Sequence, residues 1–221
     1  MKHWLKENRG FLIFLLCLGF FRSAMADWNS IPSSSMRPTL LEGDVVLVNR
    51  LAYDLKVPLT DISLLQLGAP QRGDVITFTS PKDGVRLIKR LIAVPGDTVE
   101  LRDDRLFLNG VEAQYDEPAT TSEPMGSEST PAHRTTERLA GTKHAVQFLP
   151  TMPAMRSFGP VVVPPDTFFF LGDNRDNSAD SRYIGSVPRR LLIGRAHHIL
   201  VSANITGSWL PRLERIGRPI Q

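Results

Sequence analysis

A chain of 221 residues is long enough for one substantial domain or for a domain with an inserted lobe, and a formal net charge of only +3 gives it no broad basic surface. Its basic residues gather toward the two ends, with no basic helix and no basic strand interleaved with aromatics, so we expect no nucleic-acid partner. The sole cysteine, Cys17, rules out an intrachain disulfide, and without a Cys/His zinc spacing or a glycine-rich phosphate loop neither a metal nor an organic cofactor is expected.

Lys2, Lys6 and Arg9 precede the apolar run Phe11 to Phe21, which reads either as a short membrane anchor or as the core of a signal peptide. The run is shorter than the roughly 20 residues a spanning helix needs, although Trp4, Leu5, Ala24, Met25 and Ala26 extend it and Arg22 can snorkel. Ala24-Met25-Ala26 followed by Asp27 has the small-x-small form of a signal-peptide cleavage site. We favour an uncleaved anchor over 10–26, with 1–9 in the cytoplasm and everything after Asp27 across the bilayer by the positive-inside rule.

Ile31-Pro32-Ser33-Ser34-Ser35-Met36-Arg37-Pro38-Thr39-Leu40 is a Pro/Ser loop directly ahead of the apolar run Val45 to Val48, where a rigid strand can position it. Further β-prone runs follow at 45–49, 75–79, 85–94, 98–101, 106–109, 161–163, 167–171 and 193–202. Many short strands bounded by Gly and Pro, with almost no helical periodicity, predict a mainly β, antiparallel architecture. Asn109-Gly110 marks a hairpin turn that favours positive φ. The leucine-rich stretch Leu55 to Leu67 is either ordinary core or a second membrane contact. From 115 to 153 the composition shifts to Thr, Ser, Pro, Glu and Gly, which predicts an inserted, partly mobile lobe between two parts of one β domain, 27–114 and 154–221.

In the predicted strand Val85 to Val94, Val85, Leu87, Lys89, Leu91 and Ala93 share a face, and Lys89 is its only charge. An ammonium among aliphatic groups loses hydration, which lowers its pKa and prepares a neutral amine for general-base work. The alternative is an edge-strand lysine that lays its stem on the core and snorkels. A hydroxyl needs such a base to become a nucleophile at neutral pH, and the loop offers Ser33, Ser34 and Ser35. The third polar constellation is Gly172-Asp173-Asn174-Arg175-Asp176-Asn177-Ser178-Ala179-Asp180-Ser181-Arg182. It lacks the ligand spacing, central glycine and closing glutamate of an EF-hand. None of the five histidines, His3, His133, His144, His197 and His198, has a motif that points to a Ser-His-Asp triad.

Taken together, these segments closely resemble the type I signal peptidase (leader peptidase) family, membrane-bound serine endopeptidases with a Ser/Lys dyad. Arg72-Gly73-Asp74-Val75 and Pro95-Gly96-Asp97, flanking the lysine strand, match as well. The resemblance implies the signal-peptidase β-sheet core with an inserted β-ribbon, Ser35 as nucleophile and Lys89 as general base. It implies that Ser33 and the Ser35 N–H form an oxyanion hole, that Ser178 orients the lysine, and that Asp180–Arg182, Asp173, Arg175 and Arg90 give structural support. Ile31, Pro32, Met36, Leu40, Leu87 and Ile88 fall where substrate pockets are expected. Ser34 departs from the glycine common in the family, which puts the oxyanion geometry in question. The implied partners are preprotein signal peptides and the lipid bilayer, with no cofactor, in a single-pass protein of the bacterial inner membrane whose catalytic domain faces the periplasm. Competing readings are a specialised conjugation or pilin maturation peptidase of the same superfamily, a self-cleaving repressor, and a secreted non-catalytic β domain.

Overall fold

Runs of Val, Ile, Leu and Phe separated by turn residues pair in the computed structural model, which describes residues 4, 8–57, 60, 62–125 and 128–220. In chain order the strands are β1 (Ala26–Ser30), β2 (Asp44–Asn49), β3 (Asp54–Lys56), β4 (Ser63–Gln66), β5 (Val75–Thr79), β6 (Arg86–Ala93), β7 (Thr98–Arg102), β8 (Arg105–Leu108), β9 (Val111–Glu112), β10 (Gln114–Tyr115), β11 (Ala119–Met125), β12 (Glu128–Leu139), β13 (Thr142–Phe148), β14 (Phe158–Val162), β15 (Thr167–Leu171), β16 (Val187–Pro188) and β17 (Leu192–Ser202). The α-helices are α1 (Arg9–Ala24) and the short α2 (Ser181–Ile184).

The principal sheet has the order β1-β2-β17-β5-β6-β15-β16, and its named pairings are antiparallel. One apolar cluster joins Ile31, Met36, Leu40, Val46, Val48 and Ile199 beneath the serine loop. A second, with Phe78 stacked on Phe170 at a centroid distance of 4.5 Å, fills the space under β5, β6 and β15. A smaller sheet, β14-β7-β8-β9, covers a third cluster, and Asn109 and Gly110 make its tight turn with φ of 52° and 79°. These positive values explain why that turn was legible as Asn-Gly.

Two expectations change and a third gains detail. The polar segment after Tyr115, for which the resemblance implied a β-ribbon, is regular antiparallel sheet, β12 pairing with β10, β11 and β13. Its composition hid this, because Glu123, Glu137 and Gln147 are buried for ion pairs and hydrogen bonds rather than for apolar packing. Helix α1 has 16 residues, about 24 Å at 1.5 Å per residue. Among the described residues no helix is long and apolar enough to cross a membrane, and Lys2 and Lys6 lie outside them. Finally, the described part of Leu55 to Leu67 is not core: it forms the β3–β4 ribbon, with Ile62, Leu64 and Leu65 exposed.

Candidate active site

The serine loop is held by its own apolar side chains. Ile31, Met36 and Leu40 are each no more than 2% exposed, plugged into the cluster under β2 and β17, and between them Ser34–Met36 winds into one 3-10 turn. That turn points Ser35 at β6. Lys89, paired across the sheet with Ile76, directs its Nζ to within 2.7 Å of Ser35 Oγ. Both are buried, Lys89 at 3% and Ser35 at 8% exposure. Burial is the main influence on Lys89 and lowers its pKa to about 8, while the Asp180 and Asp173 carboxylates pull it back upward. About a tenth of the amine is therefore neutral at pH 7, where an ordinary lysine is almost wholly charged. The lysine also donates to the Ile88 carbonyl at 3.0 Å.

Burial corrects one expectation about substrate contacts. Ile31, Met36 and Leu40 are core residues that support the loop, so they do not line an open pocket. Pro32 is exposed and Leu87 and Ile88 are half-buried, which leaves those three accessible. Ser33 is exposed, with its Oγ 3.3 Å from Ser35 Oγ. Ser35 lies in the first turn of the 3-10 segment, where backbone amides have no intrahelical acceptor. Ser34 is not among the residues with positive φ, so a serine causes no backbone strain there. Its hydroxyl instead accepts from Asn177 Nδ2 at 2.9 Å.

The Gly172 to Arg182 segment grips the loop from the other side. Asn174 donates its backbone N–H to the Ser35 carbonyl and its Nδ2 to the Ser34 carbonyl, both at 3.1 Å. Asp180 accepts from Gly172 N at 3.0 Å and from Arg182 through two contacts of 2.8 Å. Arg90, expected on the face opposite Lys89, is fully buried and bonds Asp173 bidentately at 2.8 and 2.7 Å. Thr39 donates to the same carboxylate. Arg175 pairs with Glu137 of β12 at 2.6 and 2.7 Å, and Tyr115 donates to Glu137 at 2.7 Å. Burial alone would raise the Glu137 carboxyl, but Arg175 holds it below the usual carboxylate range.

Gly172 is the spacer of the site. A Cβ there would come within 2.3 Å of Ser178 Oγ and 2.5 Å of the Ser35 carbonyl, so only glycine fits. Ser178 is thus beside the loop, yet its buried Oγ has no hydrogen-bond partner among the described residues, and the bond to Lys89 expected of it is not formed. Sequence reasoning missed Asn174, Asn177, Glu123 and Glu137. The two asparagines lay inside a segment already singled out; the two glutamates sat in a tract whose composition signals only solvent exposure. Among the described residues, His144 contacts Glu137 and His197 contacts Arg195, and neither bonds a loop serine.

An antiparallel β scaffold that buries a lysine amine against a serine hydroxyl has the architecture of a Ser/Lys hydrolase. The chain belongs to the signal peptidase family, peptidase S26, whose family model matches residues 1–201, and its activity is that of a signal peptidase I, a serine endopeptidase. It is 35% identical over 223 residues to a signal peptidase I of Pseudomonas fluorescens, covering 95% of this chain and 77% of that one. A signal peptidase I of Pseudomonas aeruginosa is 33% identical with the same coverage. A crystal structure of a signal peptidase I from Enterococcus faecalis V583 is 35% identical, covers 59% of this chain and 98% of that chain, and has a TM-score of 0.35.

Proposed function

We propose that this enzyme removes N-terminal signal peptides from exported preproteins after a small-x-small motif, with Ser35 as nucleophile and Lys89 as general base. The observation that carries the reading is the 2.7 Å contact between two buried groups, one of them an amine with a lowered pKa. In the first half of the cycle neutral Lys89 takes the Ser35 proton as Oγ attacks the scissile carbonyl. The resulting oxyanion accepts from the Ser35 N–H and the Ser33 hydroxyl. Each such donor typically lowers the barrier by about 2.7 to 4 kcal/mol. Collapse breaks the peptide bond, and the lysine ammonium returns its proton to the departing amine of the mature protein. A water then gives its proton to Lys89 and attacks the acyl-enzyme, which releases the signal peptide and restores Ser35. Ser178, with a buried hydroxyl that lacks a partner among the described residues, orients the lysine when the amine turns from Ser35.

Substrate enters as an extended strand. β5 pairs with β6 along Arg86–Arg90, whereas β15 pairs only from Arg90 onward. The second edge of Arg86–Lys89 is therefore open for backbone pairing among the described residues, and Pro32, Leu87 and Ile88 flank shallow positions suited to small side chains. Helix α1 anchors the chain in a bacterial inner membrane in a single pass, leaving the catalytic part on the periplasmic side.

The test is cleavage of a preprotein whose signal ends in Ala-x-Ala by detergent-solubilised enzyme, comparing wild type with Ser35→Ala and Lys89→Ala. A cut after the second alanine that both variants abolish is expected. Cleavage retained in either variant overturns that residue's assignment.

A further inference from the structure

β1 and β6 face each other across a slot beside the dyad. Four antiparallel pairings separate them in the order β1-β2-β17-β5-β6, so the two strands run in the same direction. β1 runs into the serine loop, and β6 runs from Arg86 to Lys89. At the end of the slot near the dyad, Ile31 and Ile88 share one apolar cluster. At the far end Arg86 reaches Asp27 at 3.3 Å, although the residues are 59 positions apart and their strands are not neighbours in the sheet. Adjacent strands lie about 4.8 Å apart, so a gap of one missing strand is about 10 Å. An arginine and an aspartate can span that distance, which leaves room for one extended peptide between β1 and β6.

The far end is polar where the near end is apolar. Side chains alternate along a strand, so Asp27, Asn29 and Ile31 share one face of the β1 segment, and Arg86 and Ile88 share one face of β6. Asp27 is buried, and its carboxylate also accepts from the Trp28 N–H at 2.9 Å. Asn29 turns its Nδ2 toward Asp27 at 3.4 Å and toward the Trp28 carbonyl at 3.3 Å. With the nitrogen committed to two acceptors, the amide oxygen points elsewhere. That Oδ1 is buried and accepts no hydrogen bond among the described residues. A buried acceptor without a donor is costly, and beside a substrate slot it is where a donor from the substrate gains most. On the opposite wall Arg86 is half-exposed and carries N–H groups beyond the one given to Asp27.

We propose that Asp27, Asn29 and Arg86 form a polar subsite for the fifth residue before the cleaved bond, selecting a small side chain that both donates and accepts, such as serine or threonine. The inference rests on the reading of the slot as the channel for the upstream part of the substrate. The small first and third residues before the bond share one face of an extended peptide, and the fifth is the next on that face. Four residues of strand place it about 13 Å from the first, and Arg86 stands about 10 Å from Lys89 along β6, within reach of its long side chain. A hydroxyl there donates to Asn29 Oδ1 and accepts from Arg86 with the ion pair intact. A leucine does neither and shuts Asp27 and Asn29 off from water, so the slot discriminates through stranded polar groups rather than through size. The subsite thereby sets how close to the bond the apolar core of a signal peptide can come.

The experiment uses the full chain in detergent and soluble peptides that carry Ala-x-Ala before the bond, with serine or leucine placed in turn fourth, fifth and sixth before it. The ratio of kcat/KM should favour serine roughly tenfold at the fifth position, and by under about twofold at the fourth and sixth, which face away. Asn29→Ala and Arg86→Gln should each bring the fifth-position ratio down to about threefold or less. Arg86 is half-exposed, so its variant keeps the sheet even where Asn29→Ala loosens β1. Equal wild-type rates for serine and leucine at the fifth position overturn the subsite and leave the proposed cleavage standing, since the peptides are still cut. An equal preference at the fourth or sixth position overturns the facing assigned to the slot. A ratio unchanged in both variants overturns the assignment to these residues. Failure of the folded wild type to cut any of the peptides overturns the proposed cleavage and the subsite with it.

Discussion

Lys89 ties catalysis and stability to pH in the same direction but in different windows, the rate below about pH 8 and the stability between about 8 and 10.5. Only the neutral amine accepts a proton, so the preprotein cleavage rate should rise about tenfold per pH unit below the lysine pKa of about 8 and level off above it. Lys89→Arg should remove cleavage by at least about a hundredfold at every pH, because a guanidinium stays protonated. The folded pKa lies below the ordinary lysine value of 10.5, so the unfolded chain binds more protons between the two. The cost of burying the charge is therefore complete below about pH 8 and fades as pH climbs toward 10.5. Lys89→Met should raise the unfolding midpoint at pH 6 more than at pH 10, measured by thermal denaturation in detergent; an equal shift at both would count against a buried, strained lysine. Ser178→Ala should slow cleavage less than Lys89→Arg, since its hydroxyl makes no bond among the described residues of the resting site. At this scale the buried place of Lys89 was legible, because an isolated charge in an aliphatic row is a local pattern. The Ser34–Asn177 bond was not, since it joins residues far apart in the chain whose meeting depends on the complete fold.

Elements carry the site as much as residues do. β6 presents Lys89 to the serine loop on one side and Arg90 to Asp173 on the other, so a single strand links the dyad to its polar support. β12 reaches the same support through Glu137. Glu137→Ala leaves the Arg175 guanidinium buried without its carboxylate, and equilibrium unfolding in denaturant should show a loss of roughly 3 to 5 kcal/mol. A loss under 1 kcal/mol would mean that water or another group compensates. Strands such as β5 and β15 were legible to the residue, because their apolar runs are bounded by Gly, Pro and Asp. β11, β12 and β13 were implied as a ribbon only by the resemblance and not legible in the composition, for a physical reason: they bury glutamates against arginines from the loop and from the Gly172 to Arg182 segment, and one-dimensional hydrophobicity does not register a buried ion pair. The core assignment of Ile31, Met36 and Leu40 was missed for the converse reason, since residues beside a nucleophile attract a substrate-binding reading even when they only hold the loop down.

The whole molecule is a sheet with an apolar helix at one edge. β1 is that edge, and it starts at Ala26, pairing Ala26 with Asn49 and Ser30 with Val45. Asp27 is buried and accepts from Arg86 at 3.3 Å. The Ala24-Met25-Ala26 sequence has the form of the motif this enzyme is proposed to cut, so the chain carries a latent target for its own chemistry. A protease needs its target extended and unpaired, and here the bond after Ala26 belongs to an edge strand zipped into the enzyme's own sheet. Self-digestion then requires β1 to peel away, and the working lifetime of the enzyme becomes a property of five residues of edge pairing. Asn29→Pro, which removes a donor from the middle of β1, should release a shorter chain that begins at Asp27, visible by N-terminal sequencing and absent when Ser35→Ala is added. What looks like an ordinary first strand serves as a safety catch.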